Sequence, residues 1–191
     1  MAGRAQEVIA ISADLKVRAL PAALRDSVTH VVGVAADRAT CDTLLTLARK
    51  STVTNERLRY YYAAAAARDP ALARATLDLT LGDEVPGTIV AGLISAVASS
   101  EQPDLAWDFL RKNYDALFAK QGPQFRDQFI ANFMTNFSDE RYAAELAAFA
   151  PVQATSGGRA MAGRAQEVIA ISADLKVRAL PAIDAWIKAR K

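Results

Sequence analysis

Histidine and cysteine, the side chains best suited to acid–base and nucleophilic chemistry near neutral pH, are scarce in this chain. Its one histidine, His30, and its one cysteine, Cys41, are the candidates for a general base and a nucleophile. Each role needs company: a base must reach a nucleophile and be held by an orienting group. No motif places such partners beside either residue. His30 reads as a packed or surface residue of an apolar segment, and Cys41 as a small helix residue. In the cluster Arg57–Tyr62, a cation beside aromatic rings suits contact with a peptide, with Arg57 and Tyr61 as the contact candidates. The same residues equally suit aromatic packing next to a solvated arginine. Ser156-Gly157-Gly158-Arg159 could form a small anion nest, but it lacks the lysine of a phosphate-binding loop and reads as a mobile loop, overlapping Thr155–Gly158, the most loop-like stretch of the chain. Lys188, Arg190 and Lys191 gather where cations favour a helix C-terminus. The sequence therefore assigns no catalytic residue, no metal ligand and no cofactor-binding residue, and the expectation is a protein that is not an enzyme.

The elements that must carry these residues read as helices. In the first segment Ala5, Val8, Ile11, Leu15 and Ala19 recur at spacings of three and four, with Ile9, Ala13, Val17 and Leu20 widening the stripe. Pro21 limits that helix or opens the next. Leu24–Ala35 is apolar and reads as helix. Asp37 is an N-cap for a helix to Lys50, and Thr54 opens another through the tyrosines and alanines after it. Asp69-Pro70 marks a helix start, and Gly82 its stop. Helices are expected over Pro86–Ser99, from Gln102-Pro103 to Lys120, from Gly122-Pro123 to Phe137, and over Asp139–Ala150. Trp107 and Trp186 read as core anchors. Past Thr155–Gly158, Pro181 is expected to separate one helix from a last one, Ile183–Lys188. The expected fold is all-α: a HEAT-like solenoid of about ten short helices in pairs.

Composition excludes several classes of function. Hydrophobic residues make up 52% and charged residues 23%, an ordinary globular balance. The net charge is +2, with basic and acidic residues interleaved, which argues against a nucleic-acid partner. No apolar run reaches the length of a membrane span, and no membrane role is expected. The single cysteine excludes an internal disulfide and suggests a reducing compartment, so a cytoplasmic (recombinant) location is expected.

The most unusual feature is a repeat. Residues 1–22 and 161–182 are the same 22 letters, MAGRAQEVIAISADLKVRALPA. Repeats held only to an amphipathic pattern drift, so perfect identity points to a very recent duplication or to deliberate engineering.

Asp104-Leu105-Ala106-Trp107-Asp108-Phe109-Leu110-Arg111-Lys112-Asn113-Tyr114-Asp115-Ala116-Leu117 resembles a packing pattern of zinc aminopeptidases of the puromycin-sensitive and endoplasmic-reticulum type. The pattern belongs to their C-terminal helical domain. Glu56–Tyr61, Arg68-Asp69-Pro70, Asp83–Pro86 and the ending Leu180–Ile187 are similar to the same domain, so the resemblance covers residues 23–190. It implies a helical cap cut from an enzyme. That family's zinc site needs two histidines at H-E-x-x-H spacing, and one histidine cannot supply it. Its G-x-M-E-N loop is absent too. On this reading residues 1–22 are a grafted copy of the terminal helix, residues 23–191 the solenoid, and 161–182 the native copy.

A functional expectation arises from having two identical helices and one native groove. Val168, Ile171 and Leu175 of one copy, and Val8, Ile11 and Leu15 of the other, form the expected docking face. The chain then reads as an engineered, non-catalytic scaffold that forms domain-swapped or head-to-tail homo-oligomers, with itself as partner. The alternatives are a capped monomer, a two-state switch in which the copies compete for one groove, and a peptide-binding module using Arg57 and Tyr61.

Overall fold

The computed structural model describes residues 19–119 and 123–190, so the expected docking residues Val8, Ile11 and Leu15 lie outside the described part. The all-α class holds: among the described residues there are ten helices and no strand. The chain divides into two compact units, the first ending at Leu117 and the second beginning at Phe118.

The first unit contains α1 (Ala22–Val34), α2 (Arg38–Lys50), α3 (Thr54–Ala65), α4 (Pro70–Leu79), α5 (Gly87–Ser99) and nearly all of α6 (Pro103–Phe118). Local chemistry sets the helix starts. The Asp37 carboxylate accepts from the Thr40 N–H at 2.8 Å, and that bond holds the carboxyl below its usual range. Asp69 accepts from Ala71 and Leu72 N–H at 2.7 and 3.3 Å, with Pro70 at the first helical position. Helix α3 is central and packs against α1, α2, α4 and α5. The run Ala63–Ala67, at its end and just past it, is buried, and the small side chains let neighbouring helices come close. Gly33 of α1 lies so near that an added Cβ would sit 2.0 Å from the Ala63 carbonyl oxygen. Trp107, Phe109 and Leu110 of α6 are buried, so Trp107 is the anchor its place in the pattern suggested.

The second unit contains α7 (Pro123–Met134), α8 (Arg141–Ala148), the one-turn α9 (Ala150–Gln153) and α10 (Ser156–Lys188). Its core holds a file of rings: Phe118, Phe129, Phe133, Phe137 and Tyr142, with successive centroids 4.9, 5.7, 5.2 and 4.3 Å apart. Helix α10 packs on α7, α8 and α9.

Three expectations fail in this helix. Thr155–Gly158 is a helix start and not a loop: the Thr155 hydroxyl accepts from the Gly158 N–H at 2.8 Å while donating to the buried Asp127 carboxylate. Pro181 does not separate two helices, because α10 runs through it for 33 residues. Proline in a helix interior costs about 3 kcal/mol, since it cannot donate to the carbonyl four residues back. That carbonyl belongs to Val177, which is 73% exposed, so water can serve it. Trp186 is no core anchor either, being 56% exposed.

Candidate functional site

The repeated sequence occupies the middle of α10, where it presents two different rows. The row that packs is Gly158, Ala162, Ala165, Ile169 and Ala173, all buried and spaced by three and four. Its residues are mostly small, which brings the α10 backbone close to its neighbours. A Cβ at Gly158 would lie 2.4 Å from the Val152 carbonyl oxygen and 2.7 Å from an Asp127 carboxylate oxygen. Val168, Ile171 and Leu175 do not fill this groove. They are 39%, 67% and 56% exposed, roughly a quarter turn or more around the helix from the packed row. The expected docking face is thus misplaced by one row. Ranking by bulk picked the branched side chains, whereas close packing selected the alanines and Ile169. The spacing of Ala162, Ala165 and Ala173 around Ile169 was the available signal.

The packed row also continues beyond its support. At helical spacing it extends through Lys176 to Leu180, Ile183 and Ile187, and these three apolar side chains are each nearly half exposed. From Asp174 to Arg190 every residue except Ala179 is exposed. The last four turns of α10 therefore carry apolar surface on two sides.

In the first unit Arg57 and Tyr61 do meet, but around Glu84. Arg49 pairs with the Glu84 carboxylate through two bonds of 2.9 and 3.1 Å. The Tyr61 hydroxyl donates to the same carboxylate at 3.4 Å, and Arg57 donates to the Glu84 backbone carbonyl at 3.4 Å. Burial, then the Glu84 charge, pushes the Tyr61 hydroxyl above its usual range. The Tyr61 ring is buried, so the cluster ties the 80–86 loop to α2 and α3 and does not offer the ring to a peptide. Arg49 and Glu84 were missed because they are 35 residues apart and carry no motif.

His30 is exposed and borders two shallow hollows of about 450 and 390 Å³, which also share Tyr62. Around them Asp26 pairs with Arg59, and Arg68 with Glu101 at 2.8 Å. Ser99 and Ser100, beside the second hollow, donate to the carbonyls of Ser95 and Val97 at 2.8 and 2.6 Å. Both hydroxyls are thus engaged by backbone carbonyls of α5. Burial, then Asp42, pushes the thiol of the buried Cys41 up, the reverse of an activated cysteine. Among the described residues no group of three or more acidic, histidine or cysteine side chains is placed to hold a metal. No helix there is long and apolar enough to cross a membrane.

Compared with known protein families, residues 3–170 match the ERAP1-like C-terminal domain. The chain belongs to this family. An ERAP1-like C-terminal domain is a non-catalytic helical part of aminopeptidases, which agrees with the packing motif around Trp107. The match takes in the first copy of the repeat from residue 3 and ends ten residues into the second copy. No curated protein sequence matches the chain.

Proposed function

We propose that this ERAP1-like C-terminal domain is a non-catalytic scaffold that associates with copies of itself through the repeated helix. The exact 22-residue repeat marks an engineered or very recent duplication. The observation that carries the reading is the apolar stripe Val168, Ile171 and Leu175, which stands in the open on a helix whose other face is already packed. Exposed apolar stripes of this kind favour association. The same letters recur at Val8, Ile11 and Leu15, so the sequence carries the pattern of this stripe twice. A contact between the first copy in one chain and the second copy in another is heterologous, and builds rings or open chains according to whether the rotation closes.

The test compares the full chain with one lacking residues 1–22 by light scattering. The full chain gains mass with concentration, and the shortened chain does so much less. Equal masses for the two at high concentration would remove the role given to the repeat.

A further inference from the structure

The tripeptide Leu-Pro-Ala occurs at residues 20–22 and again at 180–182, each time closing the same 22-residue sequence. Its backbone differs between the two places. At the first the chain bends at Leu20, Pro21 has φ −52° and ψ 138°, and helix α1 starts at Ala22. At the second, α10 passes through Leu180, Pro181 and Ala182 unbroken. The letters before the proline are identical, so the cause lies in the residues C-terminal to the tripeptide or in the packing around it.

Those C-terminal residues differ throughout, and two of the differences bear on the bend. Five residues after Leu20 comes Arg25, whose Nε donates to the Leu20 carbonyl at 3.0 Å. That bond satisfies an acceptor which a helix break sets free. Five residues after Leu180 comes Ala185, which has no side-chain donor. Packing gives the straight form no support, since the residues on both sides of Pro181 are exposed. The charge of Asp184 favours the bend. In a helix starting at Ala182 it would stand in the first turn, facing the positive end of the dipole. In α10 it lies close to the negative end.

We propose that Leu180-Pro181 is a hinge with two states of comparable free energy: the straight helix of α10, and a bent form with the backbone of Leu20–Ala22. The hinge sets the length of the exposed stripe. In the straight state Trp186 lies on the side of α10 that carries Val168 and Leu175, at helical spacing. In the bent state residues 182–190 leave that line and the stripe ends with the repeat. The hinge stands whether or not the chain self-associates.

Spin labels at Ala170→Cys and Ala189→Cys, in a Cys41→Ala background, would read the hinge by double electron–electron resonance. The measurement is made at a dilution where the mass is that of one chain. The straight helix gives a separation of about 28 Å at 1.5 Å per residue. Beside it we expect a shorter distance from the bent state. Pro181→Ala should remove the short component, and Ala185→Arg should raise its ratio to the long one about fivefold, the value of one added hydrogen bond. Both positions are exposed, so neither substitution threatens the core. A single long distance, or a short component that fails to respond to either substitution, would overturn the proposal.

Discussion

Tyr61 shows how one buried hydroxyl makes stability depend on pH. Its acidity is weakened in the fold by burial and by the Glu84 carboxylate, so folding favours the neutral phenol. A raised value means the contribution is fully present below the unfolded tyrosine pKa of about 10 and is lost as pH rises through the folded value. Tyr62, raised by burial alone, acts in the same sense. Thermal melts should therefore fall steeply above about pH 10, and Tyr61→Phe should flatten that alkaline limb. An unchanged limb in the Phe variant would show that Tyr61 does not couple to folding. Close approach sets the second residue-level expectation. A methyl at Gly33 meets backbone of α3, and one at Gly158 meets the Val152 carbonyl, so neither neighbour can swing aside. Gly33→Ala and Gly158→Ala should each lose about 1–3 kcal/mol in urea unfolding.

At the scale of the element, local rules were legible and packing partners were not. Asp37 and Asp69-Pro70 mark their helix starts because capping is decided within four residues. Asp69→Ala should cost about 1 kcal/mol, read as a lowered denaturation midpoint. Thr155–Gly158 was misread because two glycines suggest a loop. Here they permit a tight helix start beside Asp127, 28 residues away. Pro181 was misread as a boundary for a similar reason: proline disfavours a helix interior but does not forbid one where the carbonyl it abandons can meet water. The docking row was misplaced because periodicity gives a stripe, and only the neighbouring helices say which edge of it is covered. Ile169 and Ile171 separate the two edges. Ile169→Ala should cost about 2–5 kcal/mol of stability. Ile171→Ala should stay within about 0.5 kcal/mol of the parent while weakening association between copies.

At the scale of the whole molecule, family membership and fold class were carried by the packing motif around Trp107 and by unbroken helical periodicity. The boundary at Leu117–Phe118 lies inside a helical pattern, and no proline, glycine or charge run marks it. The repeat was the plainest signal in the sequence, yet its exposed side emerged only with α10 in place. The central claim is that this side joins one copy of the chain to another. Light scattering across a concentration series, for the full chain and for Ile171→Glu/Leu175→Glu, tests it most directly. The full chain should rise above its 20.5 kDa with concentration while the double variant, still helical, stays at that mass. A full chain that holds 20.5 kDa throughout, or a double variant that associates equally well, would contradict it.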